Sequence, residues 1–440
     1  MTMKKIVKNI SLALLTAICI TGCEVEEFSD LNSPGLEAIL NDPTLGDIQD
    51  LIGGMQASMR NRLGTYYDDV GVIGREYYRF SSSDPRFTSD LLGRGTAILD
   101  NNTFYITNPW AARYNVVKSA NVVLEAVDIT DADISTAEKD AIRGFAKTIK
   151  AYELLLNLNL TYNNGIRVDV EDPSNLGPFL DYSASLTAIR SLLEEGAADL
   201  SNGGSSFPFE LSSGFAGFET PDTFLLFNRA ISARVAAYQG DLSSVSTFLN
   251  GSFLDLSGDL NTGTFYVFSS DGNDVFNPMF FALNSSTAGA RIVQPDFVPD
   301  AEAGDQRLSK AVLRNSSLTL DGLTGDYDVF VYTSNTSPIP IIRNEELILL
   351  YAEANHISNP SEAVNAINII RNAAGLPDYS GGTTPADLVN EILTQRRYSL
   401  FAEGHRWVDM RRFNKLNELP IDRTDDDVWE QFPIPLNENQ

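Results

Sequence analysis

Asn344 to Leu376 reads NEELILLYAEANHISNPSEAVNAINIIRNAAGL, and two helices joined by one tight turn account for all of it. Leu347, Leu350, Tyr351 and Ala354 form one apolar stripe at helical spacing. The stripe breaks at Asn359-Pro360-Ser361-Glu362, a capping residue followed by proline at the first helical position and an acid at the third. A second stripe, Val364, Ile367, Ile370 and Ala374, runs to Gly375 with Pro377 beyond, which is how helices end. Working outward, Ser135-Thr136-Ala137-Glu138 reads as a capping box opening a long helix to Leu160, whose buried stripe is Ala141, Phe145, Ile149, Tyr152 and Leu156. Further helices are expected at 42–63, 109–127, 182–200, 222–239 and 385–414. The expected fold is mainly α, with tetratricopeptide-like helix pairs, although no strict period of about 34 residues is present.

Segments rich in Gly, Ser and Asn separate these helices at 64–108, 163–180, 201–221 and 251–340. Irregular stretches of that length inside a compact domain usually carry function or are disordered. Their aromatics, among them Tyr66, Tyr67, Phe80, Phe87, Phe265 and Tyr266, argue for order. A helical scaffold with long irregular ligand-binding loops is the expected architecture.

The N-terminus is a separate matter. Lys4, Lys5 and Lys8 precede an apolar run from Ile10 to Ile20 and the tetrapeptide Ile20-Thr21-Gly22-Cys23. The run is about half the ~20 residues a spanning helix needs, so residues 1–22 read as a signal peptide, followed by one domain over 23–440 with loop insertions at 64–108, 201–221 and 251–340. The tetrapeptide resembles a lipobox, in which the cysteine is acylated, so Cys23 is the expected lipidation site; an ordinary secretory signal is the alternative. Loss of Cys19 with the signal and acylation of Cys23 leave no disulfide. Removing three lysines and no acid leaves 29 basic and 59 acidic side chains, a formal charge of −30. Such a chain repels phosphate backbones, so nucleic acid is not an expected partner.

Four segments in order carry a family resemblance. They are Pro109-Trp110 through Tyr114-Asn115 to Asn121; the helix pair with Ala352-Glu353-Ala354, Asn368, Arg371 and Ala374-Gly375-Leu376; Arg396-Arg397, Leu400, Glu403-Gly404, Arg406, Asp409 and Arg412; and Phe432-Pro433-Ile434-Pro435 followed by Glu438. Together they resemble the SusD/RagB family of Bacteroidetes outer-membrane nutrient-binding lipoproteins. Two positions depart from the third motif, Gln395 and Ser399, where the family usually has glutamates, and the loss is expected to weaken a local ion network. The acids Glu24, Glu26, Glu27 and Asp30 behind Cys23 also resemble surface-exposed lipoproteins of that phylum. The resemblance implies a protein lipid-anchored on the extracellular face of the outer membrane. It implies capture of an oligosaccharide, or in some members a peptide, and delivery to a SusC-like TonB-dependent transporter, with no bond broken.

Sugar recognition needs flat apolar faces and planar amides or acids for vicinal hydroxyls. The stretch 75–87 offers Tyr77, Tyr78, Asp84 and Arg86; its alternative is a buried strand with its aromatics in the core. A glycine turn offers Phe268, Asp271, Asn273 and Phe276. These eight are the expected ligand-binding residues. The three tryptophans are expected in the core. His356 and His405 are the only histidines, both in scaffold segments, so a triad or a His-rich zinc site is not expected. A carboxylate-pair glycoside hydrolase remains the rival class. Asp425-Asp426-Asp427 and 255–263 match no calcium-loop spacing, and neither a metal nor a cofactor is expected.

Overall fold

A computed structural model describes residues 40–439. Cys23 and the segments on either side of it lie outside the described residues. Helices make up 49% of the structure, so the fold is mainly α. They are α1 (Leu45–Ser58), α2 (Leu63–Ile73), α3 (Phe104–Ile129), α4 (Thr136–Thr161), α5 (Tyr182–Asn202), α6 (Pro221–Tyr238), α7 (Leu242–Asn250), α8 (Asn344–Asn355), α9 (Pro360–Ala373), α10 (Pro385–Ser399) and α11 (Arg406–Arg412). From α3 to α10 each helix packs on the next in sequence. The capping box of α4 forms as expected: the Ser135 hydroxyl accepts from the Glu138 N–H at 3.2 Å, and the Glu138 carboxylate accepts from the Ser135 N–H at 2.9 Å. Almost every residue of α4 from Ala141 onward is buried, which makes it the central element.

The differences from expectation have local causes. The helix expected at 42–63 is two, because the chain turns at Met59 to Arg62, where Arg62 adopts a left-handed φ of 56°, and α2 then runs from Leu63 into the segment expected to be irregular. The helix α3 starts five residues before Pro109, which it holds in its interior. The helix expected at 385–414 breaks between α10 and α11, where Ala402 and Gly404 have positive φ. A side chain at Gly404 would sit 3.2 Å from the Tyr67 ring.

Strands organise much of what looked irregular. They are β1 (Tyr77–Phe80), β2 (Ile166–Arg167), β3 (Phe179–Leu180), β4 (Gly263–Tyr266), β5 (Ala290–Val293), β6 (Ala311–Leu320), β7 (Leu323–Val329) and β8 (Ile339–Arg343). An antiparallel sheet runs in the order β1-β5-β7-β6, with Tyr77 opposite Val293 and Phe80 opposite Ala290. Strands β4 and β8 pair separately, Gly263 opposite Arg343, so the excursion between α7 and α8 is fastened where it leaves and where it returns. A main apolar core spans α1 to α8 and the four-stranded sheet, and a second lies between α8, α9 and α10 around Ile348, Ile367 and Ile392.

Buried ion pairs tie the family-like segments together. Arg234 of α6 holds Glu346 of α8 through two bonds of 2.7 and 2.6 Å. Arg396 and Arg412 share Asp409, and Arg412 also meets Glu353. The departures at Gln395 and Ser399 face a single arginine: Arg307 Nη1 donates to Gln395 Oε1 at 2.8 Å and Ser399 Oγ at 3.0 Å, while Asp305 supplies the charge from the same turn. The acidic run at 425–427 is absorbed in the same way, with Asp425 beside Arg94 and Asp426 beside Arg423.

Candidate ligand-binding site

Two adjoining cavities, about 650 and about 710 Å³, meet at Arg60. The first lies between Gln56 of α1, the 210–215 loop, the end of β4 and the tip around Asp271 and Asn273. The second lies between the 60–65 turn, one face of α3 (Asn108, Ala111, Ala112, Asn115) and Val275, Phe276 and Pro278. That α3 face follows from helical spacing, since positions three, four and seven apart stack on one side. Its two alanines leave the floor shallow, and its two asparagines present amides that bond to no other side chain or backbone group among the described residues.

Both walls are held from below. Arg113 of α3, fully buried, donates 2.8 Å to Glu153 of α4 and 2.9 Å to the Met59 carbonyl, and it also reaches the Asn61 carbonyl. A buried ion pair thus grips the turn that carries Arg60 and Arg62. Opposite, the 267–278 loop is pinned at both legs: Phe268 is buried, and the Asn277 amide donates to Ser337 O at 2.7 Å while its Oδ1 accepts from the Met279 N–H at 2.7 Å. Between the legs, Asp271 Oδ1 accepts from the Asn273 N–H at 2.9 Å, closing a small turn. Arg60 crosses the gap, paired with Asp274 at 2.5 Å and donating to Val267 O at 3.0 Å. Gly64 allows the loop to come this close, because a Cβ there would lie 2.8 Å from Pro278.

The eight expected residues divide sharply. Tyr77 and Tyr78 are 0% and 1% exposed in β1, with the Tyr77 hydroxyl donating to Tyr67 O, so neither offers a ring to solvent and the expectation is corrected. Alternation on a strand covered on both faces buried them. Phe268 is corrected likewise, being a buried loop anchor. Asp84 and Arg86 bind each other through two bonds of 2.8 Å, and Arg86 lies 4.8 Å over the Phe104 ring, one helical turn before Asn108. Asp271 and Asn273 line the first cavity and Phe276 the second, with Phe276 56% exposed. Arg60, Arg62, Asn108 and Asn115 were not foreseen. The signal for the last two is the pattern Asn-x-x-Ala-Ala-x-x-Asn, a polar, small-residue face on an otherwise apolar helix.

The acids that burial pushes above the usual carboxylate range are elsewhere. Glu76 is pushed up to about 8, Glu153 to about 7 against the pull of Arg113, and Asp69 well above the carboxylate range, and none of them lines either cavity. Asp274 moves the other way: burial raises it, but the Val275 N–H and Arg60 hold it below its usual value. His405, pushed down to about 4 by burial, and His356 sit in the scaffold. Among the described residues no group of three or more His, Cys, Asp or Glu is placed to hold a metal, and no helix is long and apolar enough to cross a membrane. Trp110 and Trp407 are in the core, and Trp429 packs partly buried against it.

A pinned loop arching over an open groove on a stacked-helix scaffold is a surface on which an extended ligand can lie. Known proteins show the same architecture. Surface glycan-binding protein A from Bacteroides thetaiotaomicron superposes with a TM-score of 0.67 at 15% identity, covering 90% of this chain and 96% of that one. A laminarin binding SusD-like protein gives 0.62 at 19% identity over 90% and 97%. In sequence, the SusD family model matches residues 328–435. SusD-like protein P38 of Formosa agariphila is 33% identical over 161 residues, covering 33% of this chain and 29% of that protein, so the match spans under a third of the relative's length. The fold is that of SusD-like proteins, and residues 328–435 carry the sequence pattern of the SusD family.

Proposed function

We propose that this protein captures oligosaccharides in the groove under the 267–278 loop and delivers them to a SusC-like TonB-dependent transporter from a lipid anchor at Cys23 on the outer face of the outer membrane. The observation that carries the binding site is Phe276, a ring 56% exposed on a pinned loop, lining the second cavity together with Asn108 and Asn115, whose amides have no partner among the described residues. An exposed aromatic contributes little to folding, whereas a ring stacked on a sugar face beside amides that pair with hydroxyls contributes to affinity. A glycosidase needs one carboxyl held protonated beside the bond it cleaves, and Asp274, one of the groove's acids, is shifted the opposite way by its pairing with Arg60 and the Val275 N–H.

Titrating a panel of oligosaccharides, with peptides as the comparison, tests this reading. Phe276→Ala is expected to weaken glycan binding about tenfold, or ~1.4 kcal/mol, and to leave the melting temperature unchanged. Unchanged affinity for every bound glycan removes the groove from the assignment, and enzymatic release of shorter sugars during incubation moves the carboxylate-pair hydrolase to first place. Cys23→Ala is expected to shift the protein from the membrane fraction to the soluble fraction. A variant that stays membrane-bound and protease-accessible on intact cells refutes the lipid anchor.

A further inference from the structure

The chain carries 59 acidic residues against 32 basic ones, yet no Asp or Glu forms part of the wall of the second cavity. Its charged lining is Arg60 and Arg62, and its other polar groups are Asn61, Thr65, Asn108 and Asn115. The two arginines are in different situations. Arg60 is neutralised by Asp274, which faces the other cavity. Arg62 is exposed and, among the described residues, its guanidinium makes no ion pair and no hydrogen bond. It stands at a left-handed backbone position, φ 56°, a conformation that costs a non-glycine residue free energy, directly after the Asn61 carbonyl that Arg113 holds. At physiological ionic strength charges farther than about 8 Å are largely screened, so the potential inside the cavity is set by its own wall and not by the net charge of the chain. The wall is positive in a strongly negative protein.

We infer that this cavity selects saccharides that carry an anionic substituent, a uronate carboxylate or a sulfate ester, which Arg62 receives while Phe276 stacks on the ring. The inference rests on the glycan-binding reading and narrows its substrate class. A guanidinium forks two parallel N–H donors onto a carboxylate or sulfate, which fixes orientation as well as charge. Neutral sugars leave that fork to water, and an unmodified hydroxyl accepts only one of its donors.

Calorimetric titration of the full-length protein with three oligosaccharides of equal length separates the possibilities: a neutral β-glucan, an oligogalacturonate and a sulfated galactan. At least one anionic ligand is expected to bind about tenfold or more tightly than the neutral one, and the advantage shrinks in high salt. Whichever anionic ligand wins identifies carboxylate or sulfate as the group received. Arg62→Gln is expected to abolish the advantage, while Arg62→Lys keeps part of it because charge survives without the fork. Equal or better binding of the neutral ligand overturns this inference and leaves glycan capture standing. Binding of none of the three overturns both, and an anionic preference that persists in Arg62→Gln overturns the role of Arg62.

Discussion

Arg113→Met is expected to cost about 3–5 kcal/mol of unfolding free energy, the range for removing one partner of a buried ion pair. Both side chains of the pair are 0% exposed, so Glu153 would be left without its counter-charge in the core. The carbonyls of Met59 and Asn61 would lose a donor in the same step. The loss is also expected to depend on pH. Burial already pushes Glu153 up to about 7 with the arginine present, so the variant folds by taking up a proton there, and it suffers less at pH 5 than at pH 8. Adding Glu153→Leu is expected to restore at least half of the loss, because an apolar pair of similar volume replaces a charge that has no partner. Urea denaturation of the four members of that cycle at both pH values checks this. A single-variant loss below about 1 kcal/mol would show that the pair does not clamp the turn. Glycan affinity measured in the folded double variant reports whether the 59–62 turn needs Arg113 to hold its shape.

Glu76→Gln is expected to flatten the decline of stability on the alkaline side. One carboxylate oxygen of Glu76 accepts from the Ala402 N–H at 3.0 Å and the other has no donor. Burial is the main force raising it from 4.5 to about 8, with the Ala402 N–H and Arg406 opposing and Glu403 and Asp409 adding to it. Between those pH values the folded chain holds a proton that the unfolded chain has lost, so unfolding free energy falls as pH rises, by up to about 1.4 kcal/mol per pH unit from this group. Glutamine mimics the protonated acid and removes that slope. Asp69, also held protonated by burial, keeps its own share of the decline in the variant. His405 works on the acid side with the opposite sign: pushed from 6.5 to about 4, it makes stability rise with pH across that interval. Chemical denaturation between pH 4 and 9 should therefore show a shallower alkaline decline in Glu76→Gln than in the wild type. Parallel wild-type and variant profiles above pH 6 would rule out a protonated Glu76.

The scaffold was legible because its signals are local. Capping residues, a three-to-four residue stripe and a terminal glycine placed α4, α8 and α9 within a few residues. The chain between α7 and α8 was not legible, because its strands are short and pair with partners far away in sequence: β5 bonds to β1, more than two hundred residues earlier. The same non-local pairing buried Tyr77 and Tyr78, whose aromatic, Arg-flanked sequence reads equally well as a binding surface. Phe276 was legible because a glycine turn with Asp and Asn around it must be a tip. The arginines of the groove were hidden by a pattern that ran as one helix through Met59 to Leu63. The Arg113 clamp from α3 that holds the turn there is invisible in the turn's own sequence.

The pairing of Gly263 with Arg343 has a consequence for how this protein can diversify. Some eighty residues leave the helical stack and return to it through one two-stranded gate, so the entropy of closing that excursion is met at the gate whatever lies inside. Lengthening a closed loop twofold costs only about 0.6 kcal/mol. Insertions, deletions and exchanges in the 267–278 tip, outside the strands that join the core sheet, can therefore rebuild the wall that faces a ligand while the helices and the sheet fold as before. The pinned tip is an exchangeable cassette, with α3 and the 59–62 turn as the fixed half against which each new wall is tried.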